Sequence, residues 1–275
     1  MSVGIEKYSV LMTVYEKDNP DFFALALDSI IRQTLVPDEI VLVCDGDLTK
    51  KQNQIIENYI KQYGKLLHVI RLPKNKGLWN ALNVGLRSCR NEFVARMDAD
   101  DIAKPERCEV QLKVLQKNPN LEYLGSYVEE FVETPEQVVS VRKVPSSRRE
   151  IEHFARRRNP FNHPSVMYKK TVVLMVGGYR EMKRCEDYDL AVRLIMNGVN
   201  CGNIPISLLY YRLTEDSFER RRNWNNTKGF ISVRYTNWRR GFCSFWDFFI
   251  TSLVQLILLC MPITVTKYVY QKVLR

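Results

Sequence analysis

The first hundred residues alternate apolar runs with amphipathic stretches, and this alternation restricts the possible folds most. Four runs have the length and composition of buried strands: 8–15, 39–44, 66–72 and 92–97. Three stretches between them have helical spacing of apolar residues: 21–34, 50–63 and 78–86. Strands alternating with helices predict an α/β protein with a parallel, doubly wound sheet of four or more strands. A chain of 275 residues can bury such a core.

Carboxylates follow two of the predicted strands directly. Asp45 comes after the second strand, and Asp98, Asp100 and Asp101 come after the fourth. Ligands of open α/β sheets bind at the carboxyl ends of the strands, and crowded carboxylates repel one another unless a cation compensates them. Mg²⁺ or Mn²⁺ on a diphosphate would suit this edge, since such ions combine one or two carboxylates with phosphate oxygens. Capping of the following helices is the structural alternative.

Beyond residue 118 the alternation becomes less regular. Further strands are predicted at 121–132, 138–144 and 163–167, and a basic helix at 147–158. A second acidic pair, Glu186 and Asp187, begins another predicted helix. Acidic residues are favourable at a helix N-terminus because of the helix dipole alone, which is the structural alternative to a catalytic role.

The net charge of +10 is concentrated in the second half of the chain. Residues 1–137 contain 17 Lys/Arg and 21 Asp/Glu, whereas residues 138–275 contain 24 and 10. This asymmetry indicates a surface that meets phosphates, nucleic acid or an acidic membrane. Seven cysteines without a Cys-x-x-Cys pair indicate reduced thiols, and residues 1–6 lack the pattern of a secretory signal, so we expect a cytoplasmic domain.

The segment that follows Gly241 is aromatic and apolar, but Asp247, Gln255 and Pro262 interrupt it. A membrane-spanning helix needs about 20 predominantly apolar residues. We therefore expect a helix within residues 242–265 that lies in the plane of an anionic membrane surface. Three basic residues would lie near the headgroups: Arg239, Arg240 and Lys267. A core helix of the domain and a true span are the alternatives.

Six ordered segments together resemble the inverting family 2 glycosyltransferases, which are nucleotide-sugar enzymes of the GT-A fold. The segments are 9–15, 29–34, 38–46, 75–85, 97–101 and 186–190. The resemblance covers roughly residues 8–212 and implies a Rossmann-like, mostly parallel sheet flanked by helices. It also implies a glycosyltransferase domain at 1–215 and a basic, amphipathic, membrane-associating region at 216–275. Within the domain, 1–118 would bind the nucleotide sugar and 119–215 the acceptor.

The same resemblance implies roles for individual residues. The base of the nucleotide, usually uracil, would contact Thr13, Tyr15, Glu16 and Asp45. Other nucleotide-sugar contacts would come from Asn75, Gly77, Asn83, Asp98, Ala99 and Asp100. Asp98 and Asp100 would hold the divalent Mn²⁺ or Mg²⁺ on the diphosphate, with Asp101 orienting them. His163 could add a metal contact, and a structural role is its alternative.

By resemblance, Asp187 is the catalytic base and Glu186 orients it or the acceptor. Removal of the acceptor's proton and direct displacement at the anomeric carbon would invert the configuration. The implied reaction transfers one sugar from a UDP-sugar to a saccharide on a polyprenyl diphosphate, in O-antigen, capsule or exopolysaccharide synthesis. The arginines within 210–212 and 220–222 suit such a diphosphate. The site would work at the cytoplasmic face of the inner membrane, in peripheral contact with anionic lipid.

The residues alone leave two other functions open. A sugar nucleotidyltransferase would need a Gly-rich basic signature near the N-terminus, which residues 12–19 lack. A nonenzymatic nucleic-acid-binding protein could use the C-terminal positive charge. Acidic turns at strand ends are poorly placed for that function, so we expect no nucleic-acid partner.

Overall fold

A nine-stranded sheet organises the chain in a computed structural model that describes residues 6–182, 184–214 and 224–261. In chain order the strands are β1 (Tyr8–Val14), β2 (Glu39–Asp45), β3 (Leu67–Leu72), β4 (Phe93–Met97), β5 (Ile102–Ala103), β6 (Tyr123–Phe131), β7 (Val138–Arg142), β8 (Met167–Lys169) and β9 (Cys201–Arg212). The helices are α1 (Pro20–Ile31), α2 (Lys50–Tyr63), α3 (Leu78–Ser88), α4 (Arg107–Lys117), α5 (Arg148–Ala155), α6 (Lys170–Met175), α7 (Glu186–Met196), α8 (Trp224–Arg239) and α9 (Phe245–Cys260). The sheet order is β3-β2-β1-β4-β8-β6-β9-β5, and β7 pairs with β6.

The first four strands form the predicted parallel sheet. β1 lies between β2 and β4, and β3 pairs with the outer edge of β2, all in parallel register. Alternate residues of β1 enter separate cores on opposite faces: Val10 and Met12 pack on one side and Leu11 on the other. Helices cover both faces, so β1, β2 and β4 are buried along their whole length, whereas the edge strand β3 is partly exposed.

The second half of the sheet is mixed. β8 runs antiparallel to both β4 and β6, whereas β9 runs parallel to β6. The strand predicted at 163–167 is wrong over its first part, because His163–Ser165 form a 3₁₀ turn and β8 begins at Met167. Pro164 has no N–H to donate to a sheet ladder, and the Ser165 N–H donates to the Asn162 carbonyl at 2.9 Å.

Helix α3 packs very closely on the parallel strands. A Cβ at Gly85 would lie 2.2 Å from Leu11 Cδ1 and 2.8 Å from Val43 Cγ2, so the helix can approach only with glycine there. This packing brings the N-terminus of α3, capped by Gly77, to the carboxyl end of β2. Gly85 therefore contributes to the site indirectly, because it determines where α3 lies.

Helices α8 and α9 form a pair that packs on α7 through α8. Asp247 of α9 accepts a hydrogen bond from Arg157 Nε at 2.5 Å, which ties the pair to the end of α5. Over the ranges that the structure describes, each helix is too short or too polar to cross a bilayer. The arginines predicted at 220–222 and Lys267 lie outside the described residues. The division of the chain at residue 215 stays a prediction.

Candidate active site

Three carboxylates gather in the turn after β4. Oxygen atoms of Asp98, Asp100 and Asp101 all lie within 4.8 Å of one another, and Ala99 is buried between them in the chain. Asp101 Oδ1 accepts the Arg212 N–H at 2.9 Å, but its buried Oδ2 meets no donor in the described part of the chain. Burial, followed by the charges of Asp100 and Asp98, raises the pKa of Asp101 well above its ordinary value. This crowding fits a divalent cation, which would compensate the charges.

Two buried arginines hold the acidic turn, and the resemblance did not identify either as part of it. Arg96, on β4, donates both Nη atoms to the Asp98 carboxylate, at 2.6 Å from Nη1 to Oδ2. Arg212, at the end of β9, donates Nε to the Asp100 carbonyl at 2.9 Å and lies 3.9 Å from the ring centroid of Phe22. The only signal for Arg96 in the sequence is a charge inside an apolar run. Arg212 was assigned to a diphosphate, but its guanidinium supports the turn.

The predicted base-binding residues lie at the ends of β1 and β2, beside this turn. Thr13 is buried near the end of β1, and Tyr15 and the exposed Glu16 follow it. Gln52, which no functional motif in the sequence marks, donates Nε2 to the carbonyls of Tyr15 and Asp18 at 2.9 and 2.8 Å. One glutamine of α2 therefore fixes the loop after β1.

Asp45 fixes the turn that carries Asn75 and Gly77. Its two carboxylate oxygens accept the backbone N–H groups of Lys76 and Gly77, each at 3.0 Å. Gly77 has a φ of +97°, which favours glycine. The geometry places Asp45, Asn75 and Gly77 together at the carboxyl edge, and contact of these groups with a base stays a prediction.

Asn83 and His163 belong to a buried network around Tyr179. Asn83 exchanges two hydrogen bonds with the Tyr179 backbone, at 2.6 and 2.9 Å, and His163 Nε2 lies 2.9 Å from the Tyr179 hydroxyl. Burial, followed by the charge of Arg96, lowers the pKa of His163 well below its ordinary value. Among the described residues, His163 is not part of the carboxylate group that could hold a metal. The contacts favour the structural alternative for His163.

Glu186 and Asp187 occupy the first turn of α7, after a left-handed residue, Cys185, with φ of +67°. Asp187 Oδ2 accepts a hydrogen bond from Asn159 Nδ2 at 2.7 Å, and its Oδ1 accepts the Tyr188 N–H at 2.8 Å. Burial, followed by the Asp187 charge, raises the pKa of Glu186 to about 7. Asn159 precedes Pro160 in a basic stretch, and no pattern in the sequence marks it as a partner of Asp187.

Residues 159–166 connect the two acidic groups through hydrogen bonds. The Asn159 amide donates to Asp187 at 2.7 Å, and the Val166 carbonyl accepts the Arg96 N–H at 2.9 Å. Since the Arg96 side chain holds Asp98, the start of α7 and the turn after β4 are tied to the same short segment. The tertiary structure thus brings together a candidate metal group and a separate pair of carboxylates, which is an arrangement suited to group transfer from a diphosphate.

Comparisons with known proteins identify the family of this chain. The family model described as glycosyl transferase family 2 matches residues 9–177. An Escherichia coli UDP-Gal:alpha-D-GlcNAc-diphosphoundecaprenol beta-1,3-galactosyltransferase is 36% identical over 275 residues, covering 100% of this chain and 99% of the relative. The amylovoran biosynthesis glycosyltransferase AmsE of Erwinia amylovora is 34% identical over 272 residues, covering 96% and 98%.

Two solved structures share the fold. The mannosyltransferase PcManGT from Pyrobaculum calidifontis, in complex with GDP-Man and Mn²⁺, has a TM-score of 0.66 at 15% identity and covers 98% of this chain and 80% of its own. Residues 1–349 of TarS from S. aureus, in complex with UDP-GlcNAc, have a TM-score of 0.61 at 20% identity and cover 78% and 64%. The architecture is that of a GT-A glycosyltransferase. The chain belongs to glycosyl transferase family 2, which supports this function over a nucleotidyltransferase or a nucleic-acid binder.

Proposed function

We propose that this glycosyltransferase transfers one sugar from a UDP-sugar to a saccharide on a polyprenyl diphosphate, with inversion. The E. coli relative is named for a UDP-Gal donor and a GlcNAc-diphosphoundecaprenol acceptor, and its identity to this chain extends over the full length. The AmsE relative belongs to amylovoran biosynthesis, which suits a role in O-antigen, capsule or exopolysaccharide synthesis. The observation that carries the proposal is that residues 159–166 link Asp187 to the acidic turn, through the Asn159 amide on Asp187 and the Val166 carbonyl on the N–H of Arg96, which holds Asp98.

On the donor side, Asp98, Asp100 and Asp101 are the groups that would hold Mn²⁺ or Mg²⁺. The cation would supply positive charge against the leaving diphosphate. Arg96 fixes the Asp98 carboxylate through two hydrogen bonds, and Arg212 fixes the backbone of the turn. These arginines keep crowded carboxylates in place before the cation and the UDP-sugar bind.

On the acceptor side, Asp187 takes the proton of the attacking hydroxyl. The hydroxyl oxygen forms a bond to the anomeric carbon while the bond from that carbon to the diphosphate breaks, so UDP leaves and the configuration inverts. Because the pKa of Glu186 is about 7, its side chain is partly protonated near neutral pH and can donate a hydrogen bond. It therefore adds less negative charge beside Asp187 than an ordinary glutamate would.

We also propose that α9 makes peripheral contact with an anionic membrane at the cytoplasmic face. On this helix polar residues are buried and most apolar residues are exposed, which is the reverse of an ordinary surface helix. Asp247, Ser252 and Gln255 are buried, whereas Trp246 is 64% exposed and Ile250 is 49% exposed. Contiguous exposed apolar surface is typical of membrane or partner contacts. This face would bring the enzyme to a lipid-linked acceptor.

The two arginines that were predicted to lie near lipid headgroups differ in their surroundings. Arg240 lies 3.3 Å from Asp189 Oδ1 and is turned toward the protein, whereas Arg239 is exposed. The aromatic and aliphatic face therefore supplies most of the proposed contact, with a smaller part from charge. We expect binding that is stronger on anionic lipid but persists on neutral lipid.

Calorimetric titration of the purified full chain with UDP tests the donor site. Binding should require Mn²⁺ or Mg²⁺ and be lost with chelator, while single-stranded nucleic acid at two salt concentrations should not bind. Asp187→Asn should abolish transfer and leave UDP binding nearly intact, whereas Asp100→Ala should weaken metal-dependent UDP binding. Equal loss of UDP binding in both variants would contradict this division of roles.

Cosedimentation with phospholipid vesicles tests the membrane contact. Ile250→Ser should weaken binding to vesicles, and Ile206→Ser is the matched control because Ile206 is also 49% exposed but lies on β9. The proposal fails if the wild-type chain stays in the supernatant or if the two variants bind equally.

A further inference from the structure

We infer that Asn159 is a positioning residue that sets the orientation of the Asp187 carboxylate for proton removal. This inference rests on the proposed role of Asp187 as the base. The amide of Asn159 lies 2.7 Å from Asp187 Oδ2, on the short segment that leads from α5 to the 3₁₀ turn.

The hydrogen bonds of Asn159 determine whether its amide nitrogen or its amide oxygen faces Asp187. Its Oδ1 accepts the Phe161 N–H at 3.1 Å, which is an Asx turn, so the amide oxygen is already committed. The Nδ2 group therefore points at Asp187 and donates to it. A flipped amide would place two oxygens against each other and leave the Phe161 N–H facing a donor.

The segment around Asn159 is anchored on both sides. On one side Phe161 is 2% exposed and packs edge-on against Tyr123, with ring centroids 4.8 Å apart. On the other side the Ala155 carbonyl accepts a hydrogen bond from the Tyr188 hydroxyl of α7 at 2.6 Å. Asn159 therefore contacts Asp187 from an anchored segment. That segment is hydrogen-bonded to α7, the same helix that carries Asp187.

A fixed donor matters because an aspartate can rotate about its Cβ–Cγ bond. The Tyr188 N–H contacts Oδ1, and the Asn159 amide contacts Oδ2, so together they fix the plane of the carboxylate. Proton removal in concert with displacement requires a lone pair aligned with the acceptor hydroxyl. Loss of the Asn159 donor should leave binding of the UDP-sugar intact and slow the chemical step.

Asn159→Asp separates this role from the structural one. The aspartate keeps an oxygen for the Phe161 N–H but presents a second oxygen, and no donor, to Asp187. Asn159→Ala removes both contacts. Asn118→Asp makes the same chemical change at the exposed end of α4 and serves as the matched control.

The readouts are kcat, KM for the UDP-sugar, UDP affinity and the unfolding temperature. We expect kcat to fall on the order of 10- to 100-fold in both Asn159 variants, while KM and UDP affinity stay unchanged. Asn159→Asp should unfold somewhat below the wild-type temperature at neutral pH, because its turn is retained but its second oxygen repels the Asp187 carboxylate. Wild-type kcat in Asn159→Asp would overturn the inference even with Asp187→Asn inactive. An Asp187→Asn enzyme that still transfers sugar would instead overturn the proposed base.

Discussion

Replacement of Glu186 by glutamine should stabilise the folded protein at alkaline pH. Burial and the neighbouring Asp187 raise the pKa of Glu186 from 4.5 to about 7. Between these values the folded protein binds more protons at this site than the unfolded chain, so wild-type stability falls as pH rises through this window. A shift of this size corresponds to about 3 kcal/mol at most, since one pKa unit is about 1.4 kcal/mol. Glutamine carries no charge and escapes this penalty.

Urea unfolding of wild type and Glu186→Gln at pH 5 and pH 8 measures the effect. We expect the variant to be more stable at pH 8 by up to about 3 kcal/mol, equivalent to roughly 6–10 °C in unfolding temperature. The difference should shrink toward pH 5, where the wild-type side chain is also protonated in the folded state. Glu57→Gln, the same change on the exposed face of α2, should show no such dependence. A stability difference independent of pH, or a less stable variant at pH 8, would refute the reasoning.

Two further perturbations probe the support of the site. Arg212→Lys keeps the charge but loses the planar donor that holds the Asp100 carbonyl, so metal-dependent UDP binding should weaken by about tenfold in calorimetric titration, and unchanged affinity would contradict this role. Gly178→Ala should destabilise the fold by about 1–3 kcal/mol in urea unfolding, because φ is +64° and the new Cβ would lie 2.3 Å from Asn83 Oδ1. Gly177→Ala is its control, since φ is also positive there but no atom lies within 4 Å of the new Cβ, and equal losses would exclude the Asn83 contact as the cause.

The parallel half of the sheet was predictable because its signals are local. Each buried strand is a largely apolar run, and each helix has its own amphipathic period; α1 and α2 also begin after capping residues, Asn19 and Thr49. The mixed half of the sheet was harder to predict from the sequence, since β8 has three residues and pairs with strands that are distant in the chain. Short strands carry little periodicity, and only their partners define them.

The candidate site divides in a similar way. Asp98, Asp100 and Asp187 belong to ordered motifs, so the sequence identified them by resemblance, and their roles stay predictions. Supporting residues such as Arg96, Gln52 and Asn159 act through hydrogen bonds to groups elsewhere in the fold. Such contacts depend on distance and angle, which residue type and spacing do not specify.

By itself the sequence determined the fold class, the acidic turn at a strand end and the membership of a glycosyltransferase family. Only the tertiary structure decided that Asp45 holds a backbone turn, that His163 faces Tyr179 and that α9 buries Asp247, Ser252 and Gln255 while it exposes most of its apolar residues. The reason is physical. Apolar periodicity records burial along one segment, whereas the partner of a buried polar group is set by packing between segments that are far apart in the chain.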